Sequence, residues 1–183
     1  MSSPSLQSLS YPIGKFSFPS APTETQRSQW ISEIQAAPAG FRAAVSGLTP
    51  EQIETPYRPG GWTVRQVIHH VPESHMNAYI RFKLALTEHD PIVKPYDENA
   101  WAVTPEVAST GIEVSLTMLD MLHQRWYALL RAMTAADFER GYIHPEFPDR
   151  GSIPLGGVLA MYAWHGKHHT AHITALRERM EWK

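Results

Sequence analysis

The sequence predicts an all-α protein, a four-helix bundle that follows an extended N-terminal arm. Four long segments carry apolar residues every three or four positions, which is the spacing of amphipathic helices. Two long connections lie between these segments, and no segment alternates apolar and polar residues for long enough to build a sheet. A chain of 183 residues has the length of one domain, so the four helices are expected to share a core.

The arm is predicted over residues 1–22, which contain four prolines and few helix formers, and residues 23–183 are predicted to form the bundle domain. The first helix should cover residues 23–48, where apolar residues recur at helical spacing. Pro38 and Gly40 lie inside this segment. They are expected to kink or break the helix, because proline lacks the backbone donor that a helix interior needs.

The second helix is predicted to begin after Thr63 and to end near residue 88, because Thr63 and Gln66 have the spacing of a capping box. Its apolar stripe comprises Val64, Ile68, Val71, His75, Tyr79, Phe82 and Leu86. Pro72 lies within this helix and should bend it near His69 and His70.

The rest of the chain is predicted to form two further helices and two loops. The connection at 90–108 has roughly nineteen residues, and connections of that length are uncommon and often functional. The third and fourth helices are predicted over residues 109–133 and 155–180. Between them, the segment 141–154 contains Gly, Pro and Asp and is predicted to be a loop.

The composition excludes several classes of function. The chain has no cysteine, which excludes disulfides, thiolate metal sites and a cysteine nucleophile and fits a cytoplasmic protein. Sixteen basic residues against eighteen acidic ones give no basic surplus, which argues against nucleic-acid binding. No apolar run approaches the about 18 residues of a membrane helix, and the N-terminus has no signal-peptide pattern. We therefore expect no membrane partner.

The last predicted helix contains the histidine-rich sequence WHGKHHTAHITAL. At about 100° per residue, His165 and His169 each fall about 20° from Val158, which lies on the apolar stripe of this helix. Two imidazoles four residues apart on one face can reach the same ion. The alternative is that both are partly buried histidines satisfied by hydrogen bonds alone.

A third ligand should come from the second helix, which offers His69, His70 and His75. His75 lies on the apolar stripe and His70 lies off it, but Pro72 disturbs the helical phase between them, so spacing alone does not choose. It is also open whether His172 joins the ligands or only supports them. Ordinary surface or loop positions are predicted for His89, His123 and His144.

Three blocks of sequence follow one another along the chain: SYPIGKF in the arm, the stretch from Gly60 to Trp101, and YAWHGKHHTAHI in the last helix. In this order and spacing they resemble the YfiT branch of the DinB-like superfamily over nearly the whole chain. Members of that family are four-helix bundles that hold one metal ion with three histidines. The resemblance implies the same fold, one divalent metal ion, most simply zinc or nickel, and a homodimer.

The resemblance also implies which histidines bind the metal. In the superfamily, a tryptophan followed by a small N-cap residue precedes the first ligand by eight positions, and Trp62, followed by Thr63, precedes His70 by eight. The other two ligands form a His-x-x-x-His pair in the last helix, which matches His165 and His169. The helical spacing independently favours the last two, whereas His70 rests on the resemblance.

The family resemblance implies a metal-dependent hydrolase that acts on a small molecule. A divalent ion with three neutral nitrogen ligands keeps open coordination positions and acidifies water towards a pKa of about 7. Glu73 or Asp97 is predicted to act as the general base. The alternative for each is a solvated surface carboxylate.

Two other functions stay open at this point. One is a thiol S-transferase of the bacillithiol type, in which Arg81 holds an anionic group of the thiol and Asn77 orients it. The other is a non-enzymatic metal-binding module, although a structural zinc site normally has four protein ligands. In either enzyme, Tyr96 and Trp101 of the long connection are predicted to line the mouth of the pocket.

Overall fold

The computed structural model describes residues 5–182, so the first four residues of the predicted arm and the last residue of the predicted domain lie outside the described residues. Four long helices make up the body of the molecule, as predicted. The elements in chain order are α1 (Leu6–Ser10), α2 (Glu24–Val45), α3 (Pro50–Ile53), α4 (Val64–Thr87), α5 (Glu98–Trp101), α6 (Pro105–Ser109), α7 (Ile112–Ala132), α8 (Ala135–Glu139), β1 (Gly141–Ile143), a 3-10 turn (Pro148–Arg150), β2 (Ser152–Pro154) and α9 (Leu155–Arg179).

The helix that carries His70 begins at the predicted cap. The Thr63 side chain accepts from the backbone N–H of Gln66, and the Gln66 side chain accepts from the N–H of Thr63 at 2.9 Å. This capping box satisfies two of the backbone donors that a helix start leaves without partners. It fixes the register of α4, and so the face on which His70 lies.

The helix α2 runs without interruption through Pro38, so the expected break at Pro38 and Gly40 is wrong. Pro38 is buried, and Ile34 and Phe41 on either side of it are buried as well. The helix packs against both α7 and α9 along this face. Because most helix stability in proteins comes from such packing, one missing backbone hydrogen bond does not end the helix. The helix α4 continues through Pro72 in the same way.

Each of α2 and α4 packs mainly against α7 and α9. The two successive long helices α2 and α4 therefore occupy opposite corners of the bundle, and so do α7 and α9. The connections at 46–63 and 133–154 are long because each must cross the bundle to an opposite corner, whereas the connection after α4 leads to its neighbour α7. Among residues 5–182, no helix combines the length and the apolar character needed to cross a membrane.

Two apolar clusters fill the bundle, one towards each end. The first includes Phe82, Trp126 and Leu159, and the second includes Phe41, Leu119 and Ile173. Between them, five histidines cross the bundle and form what we call the histidine layer. Its members are His70 and His75 on α4, His123 on α7, and His165 and His169 on α9.

The arm lies against α9. Residues 6–10 form the short helix α1, capped by Ser5, where the sequence predicted an extended segment. Beyond it, the ring of Tyr11 stacks on His168 and the ring of Phe16 packs against Trp164. The arm therefore forms a wall beside the histidines of α9.

The two long connections are more ordered than predicted. Residues 90–108 contain α5 and α6, and residues 141–154, predicted as a loop, form the antiparallel hairpin of β1 and β2. The backbone N–H of Val93 donates to the carbonyl of Ile143 at 3.0 Å and ties the first connection to the hairpin. Strands of three residues are too short to show a two-residue period in a sequence, which is why the hairpin was missed.

Candidate metal centre

Three histidines from two helices converge in the histidine layer. One ring nitrogen of each of His70, His165 and His169 lies within 4.8 Å of the others. His70 and His169 are buried, and His165 is partly open to a cavity. His165 and His169 stand one above the other because they lie four residues apart on α9. The α4 helix brings His70 against them from the opposite side, with its Nε2 3.4 Å from Nε2 of His165.

This donor set fits a divalent metal ion. Two nitrogens that each bind zinc at 2.0–2.1 Å in tetrahedral geometry lie about 3.3 Å apart, close to the 3.4 Å between the Nε2 atoms of His70 and His165. Within the described residues, the buried Nδ1 of His169 has no hydrogen-bond partner. Imidazole nitrogen is a common ligand for zinc and nickel.

Burial keeps these rings neutral. It lowers the pKa of His70 to about 4 and lowers the pKa values of His165 and His169 well below their ordinary value. Desolvation is the main cause in each case, and repulsion between neighbouring imidazoles adds to it at His165 and His169. A neutral imidazole offers a lone pair, so all three rings are ready to bind a cation near pH 7.

His75, the rival third ligand, is occupied elsewhere. Its Nδ1 lies 2.8 Å from Nε2 of His123, and its Nε2 lies 3.0 Å from Nδ1 of His165. The prediction that His123 lies at the surface is wrong, because its side chain is 2% exposed and its Nδ1 lies 2.6 Å from the carbonyl oxygen of Ile34. The helical spacing pointed His75 into the core correctly, but both of its nitrogens already have partners there.

The remaining histidines have separate environments. His172 stacks on Tyr57 with ring centroids 3.9 Å apart, and its Nε2 lies 3.1 Å from the carbonyl oxygen of Ser10, so it does not join the three. His144 lies in the loop that follows β1, in line with the prediction of a surface or loop position, but it is buried rather than at the surface. His89 is exposed, as predicted.

A cavity of about 620 Å³ opens onto the three histidines. It follows one face of α4, because Ser74 and Arg81 lie 4 and 11 residues after His70 and fall within about 40° of it around the helix. The hairpin and the long connection close the other side. The lining includes Trp62, His70, Ser74, Arg81, Tyr96, Tyr142, His144, Glu146, Tyr162, His165 and His169.

Arg81 is a buried cation inside this cavity. It is 7% exposed, and one of its guanidinium nitrogens donates to the carbonyl of Lys94 at 2.9 Å. No carboxylate among residues 5–182 lies within 4.0 Å of it. Because a buried charge is costly unless it is paired, this arrangement suits an anionic group supplied by a ligand.

The structure brings some of the predicted site residues to the cavity and leaves others outside it. Arg81 and Tyr96 line it, and burial raises the pKa of Tyr96 to about 12, which keeps its hydroxyl protonated. Trp101 packs on Tyr96 with ring centroids 4.4 Å apart and is not among the lining residues. It supports the cavity wall.

The predicted general bases and Asn77 do not line the cavity. The carboxylate of Asp97 accepts from the backbone N–H groups of Asn99 and Ala100 and caps α5. The side chain of Asn77 donates to the carbonyl of Glu73, one turn earlier on α4. Burial, and secondarily the charge of Glu106, raises the pKa of Glu73, but Glu73 is not among the residues that line the cavity.

Sequence reasoning missed several residues that line the cavity. Ser74 and Tyr162 could have been found from helical spacing, because Ser74 lies four residues after His70 and Tyr162 lies three residues before His165. His144 and Tyr142 carried no such signal. They reach the cavity only because the hairpin folds back over it.

The fold and the site together define a class of helical bundle with a candidate metal centre between its helices. The sequence profile of the DinB superfamily matches residues 33–173, and the chain belongs to that superfamily. The predicted resemblance and the predicted four-helix bundle are therefore confirmed.

Individual relatives agree with this assignment. The chain is 50% identical over 177 residues to a protein of Bacillus mycoides strain KBAB4, and equally to one of Bacillus cereus strain ZK / E33L. Both matches cover 97% of this chain and all of the relative, and both relatives are provisionally named metal-dependent hydrolases. YfiT from Bacillus subtilis, described as a probable metal-dependent hydrolase with an unusual four-helix bundle topology, superposes with a TM-score of 0.91 at 47% identity, covering 96% of this chain and 99% of YfiT.

Proposed function

We propose that this protein is a metal-dependent hydrolase in which His70, His165 and His169 bind one divalent metal ion, zinc or nickel. The observation that carries the proposal is the convergence of three neutral, enclosed imidazoles from two helices at a cavity large enough for a small molecule. When bound by three neutral ligands, such an ion acts as a Lewis acid that acidifies water and polarises a carbonyl group. The names of the relatives support this reading.

The residues of the cavity would bind and orient the substrate. Arg81 is suited to an anionic group, because it has no carboxylate partner among the described residues. The protonated hydroxyl of Tyr96 can donate a hydrogen bond to a substrate oxygen. Arg81 is 7% exposed, and this burial strengthens its interaction with an anion.

The assignment of Glu73 and Asp97 as general bases finds no support in the cavity lining, so we give neither of them that role. Besides the histidines of α4 and α9, the cavity lining includes two carboxylates and one histidine, residue types that act as general bases, namely Glu98, Glu146 and His144. Nδ1 of His144 lies 3.9 Å from the Glu146 carboxylate, and burial lowers the pKa of this histidine. The hairpin therefore supplies a proton acceptor that neither of the predicted positions supplies.

Thiol transfer is the second candidate function, and Arg81 favours it. A low-molecular-weight thiol with an anionic group could place that group at Arg81 and its sulfur at the three histidines, which lie at the other end of the cavity. Arg81 lies 11 residues from His70 on α4, which is about 16 Å along the helix axis. A substrate that contacts both would lie along the cavity face of α4.

A purely structural metal module is less well supported. Structural zinc sites normally use four protein ligands, and within the described residues only three come together here. His75 and His172, the possible fourth ligands, contact other groups. The homodimer and the cytoplasmic location stay predictions from the sequence.

Metal binding is tested on untagged protein by elemental analysis and by titration with zinc and nickel. We expect one ion per chain, and a large loss of binding in His70→Ala, His165→Ala and His169→Ala. The matched control is His168→Ala, which removes a buried histidine of the same helix that is not one of the three converging histidines. Stoichiometric binding that survives loss of His70 would contradict the proposal.

The reaction is tested with metal-loaded protein against two panels of substrates. One panel holds esters and amides with carboxylate or phosphate groups, without thiol, and the other holds electrophiles together with a low-molecular-weight thiol. We expect turnover of the first panel. Turnover that requires the thiol would instead favour S-transfer.

A further inference from the structure

A continuous chain of hydrogen bonds runs from a backbone carbonyl to one of the three converging histidines. The carbonyl oxygen of Ile34 on α2 lies 2.6 Å from Nδ1 of His123 on α7. Nε2 of His123 lies 2.8 Å from Nδ1 of His75 on α4, and Nε2 of His75 lies 3.0 Å from Nδ1 of His165 on α9. Each of the four long helices contributes one member, so the chain spans the bundle.

We propose that His123 and His75 are positioning residues that fix the tautomer and orientation of His165. The inference rests on the proposed function, because it takes His165 as a metal ligand. In metal sites, the second nitrogen of a histidine ligand commonly donates to a fixed acceptor, which sets the tautomer and holds the ring. Here the acceptor for His165 is His75, and the tautomer of His75 is in turn set by its contact with His123.

The direction of the first bond follows from the carbonyl, which can only accept. Nδ1 of His123 must therefore carry the proton that is donated to Ile34. His123 is 2% exposed, and burial lowers its pKa to about 4, so the ring is neutral near pH 7. A neutral imidazole has one N–H, and Nε2 of His123 is left as an acceptor.

The same reasoning passes along the chain. Nδ1 of His75 must donate to Nε2 of His123, which leaves Nε2 of His75 as an acceptor, and Nδ1 of His165 must then donate to it. His165 is left with its lone pair on Nε2. That atom faces Nε2 of His70 at 3.4 Å, in the position of a ligand atom.

A doubly protonated His75 would donate from both nitrogens and remove the fixed direction of the chain, but the surroundings of His75 disfavour this charged form. His75 is completely buried, and within the described residues no carboxylate contacts its ring. Its aromatic neighbours are His123, Trp126, Tyr162 and His165. A buried cation without an anionic partner is strongly disfavoured, so the neutral form with one direction of donation stands.

The protonation pattern is tested directly on metal-free wild-type protein. Long-range ¹H–¹⁵N correlation spectra of histidine-labelled protein distinguish a ring protonated at Nδ1 from one protonated at Nε2. We expect Nδ1 protonation at His75, His123 and His165. Protonation of His165 at Nε2, or an even mixture of both tautomers, overturns the proposal without any variant or metal.

The consequence for the metal is tested with two substitutions of His123. His123→Leu removes both of its hydrogen bonds, whereas the amide of His123→Gln can donate to Ile34 and accept from His75. We expect the zinc affinity, measured by competition with a chelator, to fall roughly 10- to 100-fold in His123→Leu and to stay within a few-fold of wild type in His123→Gln. Thermal unfolding checks that both variants are folded.

The matched control is Ser115→Ala. This variant removes the hydroxyl that lies 2.7 Å from Nδ1 of His69 and changes no residue of the hydrogen-bond chain. Its zinc affinity should equal that of wild type. Equal affinity of His123→Leu, Ser115→Ala and wild type overturns the positioning role while leaving the proposed function intact. Failure of wild-type protein to bind zinc or nickel overturns the proposed function itself.

Discussion

The ring nitrogens of the buried histidines differ in what they contact, and convergence marks the ligand candidates. Buried nitrogens of His69, His168 and His172 also have no hydrogen-bond partner, but among the described residues only those of His70, His165 and His169 meet. Nδ1 of His69 lies 2.7 Å from the hydroxyl of Ser115, and both nitrogens of His75 contact other imidazoles. In contrast, Nε2 of His165 faces only Nε2 of His70. A cation is the partner that such opposed lone pairs lack.

Arg81 lowers the stability of the folded protein at a position suited to ligand binding. Its charge is buried without a carboxylate partner among the described residues, which disfavours the folded state. We therefore expect Arg81→Met to raise the free energy of unfolding by about 1 kcal/mol and to weaken the binding of anionic ligands. Urea unfolding measures the first effect.

Anion binding at Arg81 is measured as the stabilisation of the folded protein by phosphate or by simple dicarboxylates. Wild type should be stabilised and Arg81→Met much less so. The control is Arg58→Met, because Arg58 also lines the cavity but is partly exposed and lies outside α4. Loss of stability in Arg81→Met together with unchanged anion binding would show that Arg81 is a structural residue.

Among the elements, α4 connects the two ends of the site. Its 24 residues include two that line the cavity, His70 and Arg81, 11 positions apart, and its register is set by the capping box at Thr63. We expect Thr63→Ala to lower the free energy of unfolding by about 1 kcal/mol, because it leaves helix-start donors without a partner. Chemical denaturation measures the change. Thr63→Ser, which keeps the hydroxyl, should restore most of it.

The helix α9 approaches α2 and α4 closely at Gly166. A Cβ at this position would lie 3.4 Å from Cβ of Ala37 and 3.8 Å from the ring of His75, which are ordinary contacts. Because alanine favours a helix interior over glycine, we expect Gly166→Ala to raise the free energy of unfolding by up to about 1 kcal/mol.

A larger side chain at Gly166 should have the opposite effect. The extra methyl groups of Gly166→Val would press on Ala37 and on the ring of His75, so we expect lower stability and weaker zinc binding than in Gly166→Ala. Zinc affinity and thermal unfolding of the two variants make the comparison. Equal behaviour of both would contradict the close packing around His75.

Across the whole molecule, the histidine layer interrupts the apolar core. Apolar clusters lie on both sides of it, and the layer fills the space between them with neutral imidazoles. This arrangement couples stability to pH, since protonation of any enclosed ring would place a charge inside the bundle. The layer therefore makes the folded state sensitive to acid.

His123 gives the clearest measure of that sensitivity. It is surrounded by His75 on α4, the carbonyl of Ile34 on α2 and the charge of Asp120 on α7, and burial, the dominant effect, lowers its pKa from 6.5 to about 4. The unfolded chain binds a proton here between those pH values, whereas the folded protein does not. The contribution of His123 to the free energy of unfolding is therefore complete above pH 6.5 and is lost as the pH falls towards 4.

For this ring alone, the loss between pH 7 and pH 5 is about 2 kcal/mol. Urea unfolding of metal-free wild type and His123→Gln at both pH values measures it. Between pH 7 and pH 5, the free energy of unfolding should fall by about 2 kcal/mol less in the variant than in wild type, because glutamine does not titrate. Identical losses in the two proteins would contradict the lowered pKa.

The sequence alone determined the elements that depend on local order. The four long helices, the cap at Thr63 and the placement of His165 and His169 on one face of α9 follow from a 3.6-residue period and from capping chemistry, which act over a few neighbouring residues. His70 was reached through the family resemblance rather than through spacing. Its convergence with the other two is now visible in the structure.

Only the tertiary structure decided how the remaining polar residues are used. His123 contacts residues 48 and 89 positions away in the chain, and His75 contacts one 90 positions away, so no local pattern could reveal them. For the same reason the hairpin brings His144 to the cavity, whereas Asp97 caps a short helix instead. Local periodicity predicts which side of a helix faces the core, but only tertiary packing determines which residue it contacts there.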